Sequence, residues 1–266
     1  MSPDQPDPRE HVDPPGLLRM ALEARAPFEY AASLAAAPWL LSAPRGDGHA
    51  VLVYPGFMAG DFSTRPMRRL LRSLGHDAMG WGQGRNLGPS AGKDGDTIER
   101  ALANIQSVHA SSGRRVSLVG WSLGGLFARE LAKLAPQAVR AVITLGSPFA
   151  GPPGATNAHR LYQWLHRGKP RRGPAHSSLL APPPVPTTSI YSRSDGVVPW
   201  QCSVEAAGVL SESIEVAASH LGLGVNPTAL YALADRLAQA EGQWRPFERS
   251  GWRRFFYPAA RAQGSP

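Results

Sequence analysis

Between residues 116 and 134 the chain changes its hydrophobic period within a few residues, and this limits what it can fold into more than any other feature. Val116-Ser117-Leu118-Val119 is a short apolar run of strand character. Gly120-Trp121-Ser122-Leu123-Gly124-Gly125 follows, and from Leu123 to Leu134 the spacing is that of a helix. The segment reads as strand, tight turn and helix, with one serine at the tip of the turn. Glycines are needed around it because side chains would collide as the strand bends into the helix. The turn brings the Ser122 hydroxyl to the edge of a sheet, beside a helix N-terminus that favours developing negative charge.

The same alternation runs along the chain. Ala50–Tyr54 reads as a buried strand ending at Pro55-Gly56, Arg65–Leu74 as a helix and His76–Met79 as a short strand. Asp96–Ser111 reads as a helix with Ile98, Leu102 and Ile105 on one face. Ala141–Leu145, Thr187–Tyr191 and Ser213–Ala217 read as strands, and Pro227–Ala240 as a closing helix. Near-continuous apolar strands separated by helices predict an α/β fold, a mostly parallel sheet with helices on both faces. The division expected is an N-terminal segment over 1–45, an α/β domain over 46–240 and a C-terminal tail over 241–266. Residues 1–15 read as disordered. Gly16 to about Leu41 read as one or two amphipathic helices packed on the domain, broken at Pro27 and Pro38. Many of the 26 prolines cluster near the N-terminus, between 148 and 186, and in the tail, which marks loops and linkers. The insertion at about 149–186 includes a candidate short helix, Ala158–His166, with Leu161, Trp164 and Leu165 on one face.

Charge narrows the partners. The net charge of +8 comes from two places: five basic residues and no acid over 157–176, and five Arg against two Glu over 241–266. A solvated loop and tail account for this, with contact to an anionic membrane surface or an acidic partner as the functional alternative. Trp244, Phe247, Trp252, Phe255, Phe256 and Tyr257 lie among the tail arginines, and docking of these rings on the domain is the simplest expectation. Nucleic acid is not an expected partner. The single cysteine, Cys202, excludes an internal disulfide and a cysteine-rich zinc cluster. No secretory signal precedes the helical pattern and no apolar run nears the ~20 residues needed to span a bilayer, so the expected location is the cytoplasm.

Gly120-Trp121-Ser122-Leu123-Gly124-Gly125, in its strand–turn–helix setting, resembles the nucleophile elbow of the α/β-hydrolase superfamily in the form found in bacterial lipases and esterases. The resemblance covers roughly Val51 to Ala240. It implies the α/β-hydrolase fold with a short cap insertion, and a nucleophile, acid and histidine in that chain order, each on a loop after a strand. A serine hydroxyl needs a base, and the base an orienting acid. Of the histidines after Ser122 (159, 166, 176 and 220), only His220 follows an aspartate, and Asp195 is the only aspartate between Ser122 and His220. Ser192-Arg193-Ser194-Asp195-Gly196-Val197-Val198-Pro199 and Ala218-Ser219-His220-Leu221-Gly222 both lie just past strands and resemble the family's acid and histidine loops. Ser122, Asp195 and His220 are therefore the candidate catalytic residues.

The oxyanion of acyl transfer calls for two backbone N–H groups. Leu123 should supply one. Phe57 should supply the other, from Pro55-Gly56-Phe57-Met58, which resembles the family's His-Gly loop with Pro55 in place of the usual His. Gly80-Trp81-Gly82-Gln83-Gly84-Arg85-Asn86-Leu87-Gly88 fails the dinucleotide pattern G-x-G-x-x-G and reads as a loop at the active-site rim. With no phosphate loop, HExxH or paired metal-ligand spacing, no cofactor and no metal are expected. The resemblance implies a serine hydrolase cleaving carboxylic esters through an acyl-enzyme, with an acyl ester or lipid as substrate. An acyltransferase or thioesterase would use the same residues, and a non-catalytic binding protein would need none of them.

Overall fold

The computed structural model describes residues 12–89, 91–92, 95–152, 155–157, 179–206 and 208–259. Its centre is a six-stranded sheet made of β1 (Ala50–Tyr54), β2 (Asp77–Gly80), β5 (Val116–Trp121), β6 (Val139–Leu145), β7 (Thr187–Tyr191) and β8 (Ser211–Glu215), in the order β2-β1-β5-β6-β7-β8. Every pairing is parallel. A separate two-stranded hairpin joins β3 (Ala91–Gly92) to β4 (Gly95–Asp96). From β1 the chain steps outward to β2, returns across β1 to β5, and continues the other way to β8. The strand order reverses between β1 and β5, which opens a crevice at their C-terminal ends.

The helices cover the sheet in two layers. On one face α3 (Ala37–Leu41), α4 (Arg65–Ser73) and α7 (Pro227–Leu237) pack Leu40, Met67, Leu71 and Leu233 against Val51, Val53, Val119 and Ile143. On the other, α5 (Thr97–Ser112) and α6 (Leu123–Leu134) pack Ile105, Phe127 and Leu131 against Leu52, Tyr54, Leu118 and Val142. Successive strand residues alternate between the two cores, so β1 and most of the central strands β5 and β6 read as near-continuous apolar runs. Asp96 caps α5 by accepting from the Ile98 N–H, and Asn226 caps α7 by accepting from Thr228 and Ala229.

The N-terminal segment departs from expectation. It forms α1 (Leu17–Ala21), a 3-10 turn over Leu22–Arg25, α2 (Ala26–Ala35) and α3, with Pro27 and Pro38 in the first turns of α2 and α3. A proline there loses only an N–H that has no helical partner, so the breaks fall at helix starts. Leu17, Leu18, Phe28 and Leu34 are 60–79% exposed, while Glu23 and Ser33 are buried. Over residues 17–35 the packed side is thus polar, the reverse of an ordinary amphipathic helix, while α3 packs Leu40 into the apolar core.

The tail docks as expected. Phe247 and Tyr257 are buried in the core, Trp252 stands edge-on to Trp39 and Tyr231, and Arg253 pairs with Asp235 at 2.8 Å. Phe255 and Phe256 remain exposed. The helix expected over 158–166, the basic residues of 157–176, residues 1–11 and residues 260–266 lie outside the described residues. No described helix is long and apolar enough to cross a membrane.

Candidate active site

The elbow forms where β5 meets α6. Ser122 has φ 54° and ψ −121°, in the left-handed half of backbone space, and the helix begins at the next residue. The Ser122 N–H donates to the Leu145 carbonyl at 2.8 Å, and the Ser122 carbonyl accepts from the Gly125 N–H at 3.0 Å. A Cβ on Gly120 would collide with the backbone of Gly124 and Gly125, and one on Gly124 with the carbonyl of Tyr54. The glycines are therefore demanded by a helix that turns back directly onto β5 and β1.

Asp195 follows β7 and His220 follows β8, so all three candidate residues converge on the C-terminal edge of the sheet. His220 Nε2 lies 3.0 Å from Ser122 Oγ, and His220 Nδ1 lies 2.7 Å from Asp195 Oδ2. A carboxylate can only accept, so the ring proton belongs on Nδ1. Nε2 is then left to accept from the serine hydroxyl. The other Asp195 oxygen accepts from the Val197 and Val198 N–H groups at 2.8 and 2.7 Å, which fixes the carboxylate plane. Asp195 and His220 are buried, whereas Ser122 is half-exposed at the crevice. Burial opposes a charge on the imidazole. The Asp195 carboxylate, its hydrogen bond and Glu23 outweigh this and hold His220 above the usual histidine range. From the elbow side, Trp121 Nε1 donates to the His220 carbonyl at 3.1 Å.

Three supports carry no motif and were not legible in the sequence. Glu23 and Glu29, from the N-terminal segment, accept backbone N–H groups of the acid and histidine loops. Asn86, fully buried, braces the loop after β1: its Nδ2 donates to the Pro55 carbonyl at 2.7 Å and its Oδ1 accepts from Gly88 at 3.0 Å. Its main chain pairs with Met58 and Ala59. The Gly80–Gly88 stretch thus lies along this loop, as expected of a rim element, and Asp61 ties it down by accepting from the Trp81 and Gly82 N–H groups. Gly56 sits against Ser122, with room for a Cβ only 3.4 Å from the serine Cβ. Of the expected oxyanion donors, Phe57 directly follows Gly56 in this loop and Leu123 directly follows Ser122 at the start of α6.

The described ends of the insertion are pinned nearby. Ala150 donates to the Cys202 carbonyl, and Asn157 Nδ2 donates to the Gly196 and Pro15 carbonyls. Arg129 of α6 is buried between the Glu205 carboxylate and the Phe149 ring and reaches the carbonyls of Leu179 and Ala181. Cys202 is buried, and burial pushes its thiol up to about 11, which suits an unreactive side chain. Of the glutamates near the strands, Glu212 pairs with Arg236 and Glu215 with Arg193. No described group of three or more His, Cys, Asp or Glu is placed to hold a metal ion.

Comparison with known proteins adds the family context. The family model described as a PGAP1-like alpha/beta domain matches residues 89–173, which include Ser122 but neither Asp195 nor His220. Two triacylglycerol lipases, from Pseudarthrobacter phenanthrenivorans and Burkholderia plantarii, are each 44% identical over 54 residues. That stretch is 20% of this chain and 17% and 15% of those lipases, so the chain matches less than a fifth of either relative. The crystal structure of Aspergillus fumigatus lipase B superposes with a TM-score of 0.54 at 18% identity, covering 72% of this chain and 52% of that one. The pyrethroid hydrolase PytH gives a TM-score of 0.50 at 16% identity, covering 74% and 99%. The likeness is one of architecture, and the architecture is the α/β-hydrolase fold.

Proposed function

We propose that this α/β-hydrolase-fold chain is a serine hydrolase that cleaves carboxylic esters through an acyl-enzyme. The observation that carries the reading is the continuous hydrogen-bonded line from Ser122 Oγ through His220 to Asp195, 3.0 and 2.7 Å, at a serine held on an elbow. The lipase and hydrolase names of the similar proteins support an ester-type substrate.

Ser122 Oγ attacks the acyl carbonyl carbon while His220 Nε2 takes its proton. Asp195 keeps the other ring proton on Nδ1 and stabilises the imidazolium that forms. The Leu123 and Phe57 N–H groups bind the oxyanion, and the N-terminus of α6 favours the same charge. His220 then protonates the leaving alkoxide as the carbon–oxygen bond breaks. A water, activated by the same histidine, attacks the acyl-serine and returns the proton to Ser122.

A fluorophosphonate probe tests this without a guess at the substrate. The wild type should be labelled at Ser122, shown by peptide mapping, and Ser122→Ala should take no label. Folded wild-type protein that stays unlabelled would overturn the reading. Esters of graded chain length, with and without an added alcohol, then separate hydrolysis from acyl transfer.

A further inference from the structure

We propose that Glu23 is a positioning residue for His220, through which the N-terminal segment clamps the acid loop and the histidine loop into one unit. One oxygen of its buried carboxylate accepts from the Gly196 N–H at 2.7 Å and the His220 N–H at 2.9 Å. The other accepts from the Leu221 N–H at 2.8 Å. Gly196 directly follows Asp195, so one side chain bridges the residue after the acid and the base itself, across more than 170 residues of sequence.

Burying a carboxylate is costly unless donors surround it. Three backbone N–H groups supply that, and hydrogen bonds to a charged acceptor are the strong ones. The neighbouring contacts act in the same direction. Glu29 accepts from the Ser219 N–H at 2.8 Å and from Asn226 Nδ2 at 3.3 Å, and Arg25 ties Glu29 to Ser194 Oγ. This also explains the polar packed side ahead of α3: Glu23 and Glu29 face loop backbone with N–H groups to satisfy.

The clamp bears on chemistry because His220 becomes positive during acyl transfer. The carboxylates facing it are Asp195 along the ring and Glu23 behind its backbone, while Glu29 is paired with Arg25. A fixed negative charge in a buried setting stabilises the imidazolium more than the neutral ring. Glu23 therefore serves both geometry and charge, and should act on kcat more than on KM. The inference rests on the reading of His220 as base.

The test compares wild type, Glu23→Gln and Glu23→Asp in the full chain, with kcat expressed per fluorophosphonate-titrated site so that misfolded protein does not count. Glutamine keeps the shape but removes the charge and sets an amide N–H against one of the backbone donors. We expect kcat per site to fall roughly tenfold to a hundredfold, the range for slight misplacement of a reacting group, with KM changed far less. The acid limb of kcat/KM should move to lower pH, since losing a nearby negative charge makes the imidazole easier to deprotonate. Aspartate keeps the charge and shortens the reach, so its acid limb should stay near that of the wild type while kcat falls. Wild-type kcat per site in Glu23→Gln, or an acid limb that is the same in all three proteins, overturns the inference. Failure of the wild type to label at Ser122 would instead overturn the function beneath it.

Discussion

Replacing Ser122 by glycine should make the protein more stable than replacing it by alanine. At φ 54° and ψ −121° the serine occupies a region that suits only glycine, and holding a side chain there costs of order 1–3 kcal/mol. Alanine keeps the Cβ and keeps that cost. Glycine removes it, but adds about 0.4–1 kcal/mol of unfolded-state entropy that folding must overcome. Both variants lose the same hydrogen bond to His220 Nε2, so that loss cancels in the comparison. The remainder is roughly 1–2 kcal/mol in favour of glycine, or several degrees in Tm for a domain of this length. Urea unfolding of the two variants, followed by circular dichroism, measures the difference directly, and both should be inactive towards esters. If Ser122→Ala proves as stable as Ser122→Gly, or more so, the elbow stores no strain and its backbone angles carry no energetic cost.

Two further predictions concern residues outside any motif. Asn86→Asp should lower kcat by about one to two orders of magnitude, approaching the loss of an oxyanion donor, because it sets a carboxylate oxygen against the Pro55 carbonyl that Nδ2 now donates to. Asn86→Ala should do the same less severely, and an active Asn86→Asp, measured with a chromogenic ester, would exclude this brace. Acid sensitivity should trace in part to His76, which is buried with neither ring nitrogen hydrogen-bonded among the described residues, and which burial lowers from 6.5 to about 4. The unfolded chain takes up this proton below about 6.5 and the folded one does not until about 4, so stability falls as the pH drops through that window. Between pH 7 and pH 5 the loss amounts to about 2 kcal/mol. His76→Leu should remove it, and an unchanged difference between urea midpoints at the two pH values would refute this.

The parts of this structure that were legible are those whose constraint is local. The elbow announces itself because a helix folded back onto its own strand tolerates no Cβ at Gly120, whatever the rest of the chain does, and Gly124 adds the constraint of the neighbouring Tyr54 carbonyl. β1 and most of β5 are legible because strands buried on both faces are largely apolar, whereas β7, Thr-Thr-Ser-Ile-Tyr, is legible by its β-branched and aromatic residues. Asp195 and His220 follow from chain order once Ser122 is placed. Glu23 and Asn86 were not legible, for one reason: each acts on backbone groups distant in sequence, N–H groups for Glu23 and the Pro55 carbonyl for Asn86, and backbone groups leave no trace in residue identity. A glutamate among leucines and arginines reads as the solvated face of a helix, and only the three N–H groups folded over it show otherwise.

The molecule also contains its own control. β5 has a serine near its start and another just past its end, and each belongs to a Ser-His-Asp set. At the far edge of the sheet, His49 Nδ1 is 2.6 Å from Asp47 and Nε2 is 2.8 Å from Ser117 Oγ, distances as good as those around Ser122. Yet Ser117 lies inside a strand and is 1% exposed, so no substrate carbonyl can reach it. Asp47 is shared with Arg114 and Arg140, which divert its charge from the imidazole. Burial accordingly wins at His49 and lowers it below the usual histidine range, the opposite of His220. The difference between the two sets therefore lies in their surroundings. Ser122 on its elbow is only partly buried, the Asp195 carboxylate is held on the histidine by the Val197 and Val198 N–H groups, and the Glu23 clamp adds a second carboxylate. Hydrogen-bond distances alone would not tell the proposed nucleophile from a structural serine, but access, local charge and the helix N-terminus behind Ser122 do.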